Sequence, residues 1–283
     1  MLLSDHHYLA SVGQLRYMQA TYERGSLRNP DSHVAKLLSP AQRIYADLNG
    51  VLRLGLIRQR PFYCYLLART RFYDEFFQTQ IPRQCRSVVN IGAGTDTRAH
   101  RFREFLDSAD IELLECDLAS AIELKQARAR RAWTAGRISY QAIDLNATSW
   151  PRLEAWLEAH RDGGCRVMME GVSPYIERSR FPLFLRLLAR KLRAGCVVAY
   201  DFKVAGTNDT LGRSESVRES FRLPRDATWI ASFHRALGFT VRQLIFSEDL
   251  TRQTLQAAEL PSPTLFDQDG VVVLEVTLLD GQA

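Results

Sequence analysis

The sequence predicts an α/β domain: a mostly parallel sheet with helices on both faces, preceded by a helical region. Three observations predict it. From residue 87 onward, short β-branched runs alternate with helix-patterned segments, the signature of a parallel sheet wrapped by helices. Before that point apolar residues recur at three- and four-residue intervals instead. The first β-branched run ends in a glycine turn, "VVNIGAGTDTRAHRF" at 88–102, as a strand does when it feeds a helix over a ligand crevice.

Taken in order, residues 1–85 form a helical cap and 86–283 the sheet domain. Within the cap, "RGSLRNPDS" (24–32) and "LSPAQ" (38–42) punctuate the helices. The last helix is "FYCYLLARTRFYDEFFQTQI" (62–81), with Leu66, Tyr73, Phe76 and Phe77 on one face and Pro82 as its stop. The expected strands are 87–91, 111–116, 138–143, 165–170 and 195–202. The helices between them are "TRAHRFREFL", "ASAIELKQARARRAW", "SWPRLEAWLEAH" and "SRFPLFLRLLARKLRA". After "ATWIASFHRAL", the runs "FTVRQLIF" (239–246) and "GVVVLEVTLL" (270–279) fit an antiparallel addition at the sheet edge. Segments near 203–235 and 247–268 are insertions.

Composition narrows the class. A chain of 283 residues, 46% hydrophobic and 24% charged, has enough interior for a large core. No run approaches the ~20 apolar residues of a membrane span. The start "MLLSDHHYLA" lacks a basic flank before an apolar stretch, so neither a secretory leader nor a membrane partner is expected. The five cysteines are far apart with no C-x-x-C, which reads as reduced core thiols of a cytoplasmic protein, with no metal site. The net charge of +5 is mild and spread out. Its densest cluster, 126–133, reads as one solvated helix face, so no nucleic-acid partner is expected. The oligomeric state is left open.

Four places carry chemistry. Gly92 and Gly94 permit a tight bend and close backbone approach, but Thr97 stands where a dinucleotide motif has its third glycine. Asp117 ends the second run, 25 residues past Gly92, where such folds offer a carboxylate to ribose hydroxyls; a helix N-cap is the plainer reading, although Ser120 could supply that cap. Asp144 with Leu145 suits an adenine edge and equally an Asx-turn. Glu170 ends a buried-looking run before Gly, and an unpartnered carboxylate there would be costly in a core. With Asp96, these acids should ring the carboxyl edge of the sheet. Such a rim repels pyrophosphate and attracts a cationic, phosphate-free nucleoside such as S-adenosylmethionine.

The glycine stretch resembles the V-V-N-L-G-A-G-x-D-T-R signature of the leucine carboxyl methyltransferase family. The similarity continues through "ARTRFYDEFF", "ECDLASAIELKQA", "AIDLNATSW" and "MEGVSPYI", over roughly residues 55–202. This resemblance implies a Rossmann-like class I methyltransferase fold with a seven-stranded sheet and an N-terminal helical lid. It also implies S-adenosyl-L-methionine as cofactor. Gly92 would contact the methionine part, Asp117 the ribose, and Asp144 with Leu145 the adenine, with Gly94, Asp96 and Leu118 as further cofactor-binding candidates. Glu170 would lie near the amino-acid moiety, and Arg69 or Arg71 would meet its carboxylate. The absent proline after "CDL" and the Ser-Pro of "GVSPYI" depart from the family pattern.

The expected reaction is methyl esterification of a carboxylate on a small molecule or peptide. A carboxylate is already ionised near neutral pH, so proximity matters more than a base. Arg71, Ser173 and Tyr175 are candidates to orient it. A phenol or alcohol acceptor would need a base, for which His100 and His234 are available but read first as satisfied helical histidines. The competing classes are an NAD-dependent oxidoreductase, a cofactor-binding accessory subunit and a tRNA methyltransferase.

Overall fold

The computed structural model describes residues 5–79, 85–134, 136–206 and 219–277. The chain opens with α1 (Asp5–Tyr22), α2 (Pro40–Leu52), α3 (Leu54–Arg58) and α4 (Pro61–Thr79). Ser39 caps α2 through a reciprocal pair with Gln42, and Pro40 takes the first helical position. Pro82, the expected stop of α4, lies outside the described residues.

The sheet domain follows with β1 (Ser87–Ile91), α5 (Arg98–Arg101), α6 (Arg103–Ser108), β2 (Glu112–Asp117), α7 (Ala119–Ala132) and β3 (Ile138–Ala142). Then come α8 (Pro151–Ala159), β4 (Cys165–Met169), α9 (Arg180–Lys191), β5 (Val197–Val204) and the short β6 (Arg222–Leu223). The chain ends through α10 (Ala227–Arg235), β7 (Phe239–Phe246), α11 (Ser247–Thr254) and β8 (Asp269–Val276). The expected "TRAHRFREFL" helix is two short ones, broken at Phe102.

The strand order is β3-β2-β1-β4-β5-β8-β7, with the two-residue β6 beside the end of β5. Strands β1 to β5 are parallel. Strand β8 is antiparallel to both its neighbours, so the edge strand β7 runs with the parallel set. This is the mostly parallel, Rossmann-like sheet that the sequence predicts.

Alternation splits each strand between two cores. Val89, Met169 and Val198 pack under α8, α9 and α10, with Leu157, Phe184 and Ile230. Val88, Met168 and Ala199 face α4, with Leu66, Tyr73, Phe76 and Phe77. Helix α4 therefore covers the sheet, although the sequence places it in the cap. Only parallel pairing with crossovers on both faces brings the tips of β1, β2, β3 and β4 to one edge.

Candidate functional site

The turn after β1 is closely packed. Gly92 has φ +69°, and a Cβ there would lie 2.2 Å from Cγ2 of Val172, so a side chain is excluded twice over. Gly94 N donates to Asp117 Oδ2 at 2.7 Å, and Leu118 N donates to Asp117 Oδ1 at 2.8 Å. Asp117 thus ties the first two strand tips together; the N-cap position of α7 is Leu118, and Ser120 lies inside that helix. Below the turn, Lys125 Nζ donates to the Ala93 carbonyl at 2.9 Å and to Glu115 Oε1 at 2.7 Å. Burial, opposed by Lys125, pushes Glu115 up to about 7.

Asp96, just past the second glycine, has both carboxylate oxygens engaged. Its Oδ1 accepts from Arg98 N at 2.7 Å. Its Oδ2 accepts from Arg98 Nη1 at 2.7 Å and Asn90 Nδ2 at 3.0 Å. The start of α5, where a pyrophosphate would bind, is already filled by a carboxylate of the chain itself.

Glu170, just past β4, is held by three arginines. Arg16 and Arg69 donate to Oε1, Arg69 at 3.2 Å, and Arg98 donates to Oε2 at 2.8 Å. Burial alone would raise its pKa, but Arg16, Arg98 and Arg69 outweigh burial and hold it at about 2. The same balance, with Arg98, Lys125 and Arg16 overriding burial, keeps Asp96 well below the usual carboxylate range. Arg98 also reaches Asp74 at 2.7 Å and the Thr70 carbonyl at 2.9 Å. Arg69 bridges to Asp201 at 3.1 Å, and Asp201 in turn accepts from Gly171 N at 2.6 Å. Val12 and Arg16 of α1 close over this group, leaving a cavity of about 30 Å³ walled by Arg69, Gly92–Asp96, Glu170 and Gly171.

The acidic rim therefore needs correcting. The four acids do share the carboxyl edge, but Asp96 and Glu170 are neutralised by buried arginines, because charge at such depth requires a partner. Asp144 is exposed and makes the Asx-turn, accepting from Asn146 N at 2.9 Å, while Leu145 is buried beside it. At the start of α5 the Arg98 N–H is taken by the chain's own Asp96 carboxylate.

The expected orienting residues are dispersed. Arg71 points away from Glu170 and donates to the Ser26 and Arg28 carbonyls. Of the two arginines open at the sequence level, Arg69 is the one beside the glycine turn. Ser173 is fully buried with its Oγ donating to the Asp201 carbonyl at 2.7 Å, so its hydroxyl serves the fold. Tyr175 stays half-buried against the core, its carbonyl accepting from Asn146 Nδ2 at 3.0 Å. His100 stacks on Trp133 at 3.9 Å, and His234 is hydrogen-bonded to Tyr200 Oη at 2.7 Å. Burial lowers both to about 4, so they are neutral core histidines.

Sequence reasoning missed Arg16, Asp74, Arg98 and Asp201. Arg98 stands inside the quoted glycine stretch, and Asp201 is a lone acid in the apolar run "VVAYDF". Each lone charge in an apolar run is a sign of a buried partner. Among the described residues, no group of three His, Cys, Asp or Glu is placed to hold a metal ion, and no helix is long and apolar enough to cross a membrane. All five cysteines are buried free thiols.

The chain is similar to several known proteins. A relative from Mycobacterium bovis, named as an S-adenosyl-L-methionine-dependent methyltransferase, is 28% identical over 166 residues, covering 57% of this chain. The alignment takes in 51% of that relative, so the chain spans about half the length of the curated relative. A relative of the same description from Mycobacterium leprae is 29% identical over 209 residues, covering 60% of this chain and 67% of its own. Among solved structures, a magnesium protoporphyrin IX methyltransferase from Synechocystis PCC 6803 with bound SAH superposes at a TM-score of 0.48. It is 11% identical and covers 96% of this chain and 98% of its own. A family model for leucine carboxyl methyltransferase matches residues 29–189, more than half of the chain and every strand tip described above. The chain belongs to the leucine carboxyl methyltransferase family.

Proposed function

We propose that the protein is an S-adenosyl-L-methionine-dependent methyltransferase that esterifies a carboxylate on a small molecule or peptide. The observation that carries the cofactor assignment is Asp96 at the start of α5. It takes the place of a pyrophosphate, which fits a nucleoside without phosphate and opposes a dinucleotide. Membership of the family and the names of the relatives support the same reading.

The residues present fit such a group. Asp117, at the tip of β2 beside the glycine turn, stands where the ribose hydroxyls would meet a carboxylate. Glu170 and Arg69 both line the cavity beside the glycine turn, where the ammonium and carboxylate of the amino-acid end would meet them in place of their present ion pair and of Arg16. When bound, the cofactor supplies an electrophilic methyl on sulfonium. The chain's part is to hold and align the reactants and to keep water out, which α1 does by closing over Gly92–Asp96.

A carboxylate acceptor is favoured over a phenol by the two histidines. Neither lines the cavity at the glycine turn, and burial, which lowers both to about 4, makes each a weak proton acceptor. The test is a transfer assay with cofactor labelled in its methyl group and a panel of carboxylic acids and phenols. The expected product releases its label as methanol in mild alkali, as esters do. An alkali-stable label would contradict esterification, and no transfer to any acceptor would point to an accessory subunit.

A further inference from the structure

Helix α2 is mounted in an unusual sense. Its small residues Ala46 and Gly50 face the protein, and its large apolar residues face out. Ile44, Tyr45, Leu48, Val51, Leu52 and, one turn on in α3, Leu56 are each 55–74% exposed. At 3.6 residues per turn the five on α2 fall within an arc of about 120°. The orientation is fixed from behind. A Cβ on Gly50 would lie 2.5 Å from the Tyr22 ring, and Asp47 accepts from Tyr17 and Tyr22, both at 2.8 Å. An exposed apolar surface of this extent marks a binding face.

The charges around it choose the occupant. Arg43, Arg53 and Arg60 are exposed along the same helices. Between residues 32 and 73 the sequence holds one acid, Asp47, whose carboxylate is engaged by the two tyrosines. Two such faces brought together would set arginines against arginines, which disfavours a second copy of the chain. Side chains more than half exposed form a ridge, not a groove, so a partner helix would have no furrow to lie in. An apolar ridge with basic flanks suits the surface of an anionic lipid bilayer, whose interior accepts the ridge while its headgroups meet the arginines.

We propose that α2 and α3 dock the protein on anionic membrane surfaces, lying in the interface without crossing it. This reverses the sequence expectation that no membrane takes part, which rested only on the absence of a span. It is independent of the proposed methyl transfer.

The test is flotation of the full-length protein with vesicles of phosphatidylcholine alone or mixed with phosphatidylserine. Wild type should float with the mixed vesicles, less at high salt, and remain behind with phosphatidylcholine alone. The Leu52→Ser/Leu56→Ser variant should lose binding by about tenfold or more, given the apolar area removed. Arg43→Gln/Arg53→Gln/Arg60→Gln should weaken binding and flatten its salt dependence. Circular dichroism should match wild type in both, since every substituted side chain is exposed. Absence of flotation, flotation undiminished in the leucine variant, or a wild-type dimer that this variant dissociates would each overturn the proposal. So would capture of an acidic peptide through this face without vesicle binding.

Discussion

Gly92 and Lys125 show how single residues set the site. Gly92→Ala forces a side chain into a left-handed backbone and against Val172, so it should cost about 1–3 kcal/mol and abolish cofactor binding, as thermal melts with and without S-adenosylhomocysteine would show. Lys125→Met strands a buried carboxylate and frees the Ala93 carbonyl, for an expected loss of about 3 kcal/mol. Adding Glu115→Gln should restore part of that loss, which a double-mutant cycle in urea would measure. His234 carries a pH signature. Its folded pKa of about 4 lies below the unfolded 6.5, so its contribution is complete above 6.5 and is lost as pH falls toward 4. Glu115 and Asp269, raised to about 7 and about 6, act in the opposite sense over an overlapping window. The informative measurement is therefore a comparison: the melting temperature of His234→Gln should gain less than wild type does between pH 4.5 and 6.5. At this scale the glycines and Asp117 were legible, because a positive φ and a strand-tip acid leave local marks in sequence. The ion pairs of Arg16 and Arg98 with Glu170 were not, because Glu170 lies 154 and 72 residues away from them along the chain.

Elements were easier to read than their packing. The expected strands agree with the observed ones to within two residues, save that β8 ends at Val276 where the run 270–279 was expected to continue, because β-branched runs bounded by turns have few alternatives. The role of α4 was missed. Its apolar stripe identifies a helix but not the surface it covers, and only the fold reveals that Tyr73 and Phe77 pack on Val88 and Met168. Helix α1 is the element with a consequence for the reaction. It closes the cavity over Gly92–Asp96 and is latched there by Arg16 on Glu170. Arg16→Ala should leave the fold intact, since Arg69 and Arg98 still hold Glu170, but should expose residues 12–22 to limited proteolysis. Protection of that segment unchanged from wild type would argue that α1 is held by apolar packing alone.

For the whole molecule, the order β3-β2-β1-β4-β5-β8-β7 places four acids at one edge, and the buried arginines decide what that edge can bind. Parallel strands with crossover helices were legible from alternation; the reversal of β8 between β5 and β7 depends on pairings distant in sequence. Sequence shows charges without their partners, so it read as a repulsive rim what is a set of compensated pairs with its helix start already filled. The central claim is that this filled start admits a phosphate-free sulfonium nucleoside and refuses a dinucleotide. Isothermal titration of the purified protein with S-adenosylmethionine and, separately, with NADH tests it most directly. Saturable heat with the first and none with the second is the expected result; saturable heat with NADH and none with S-adenosylmethionine would contradict the account.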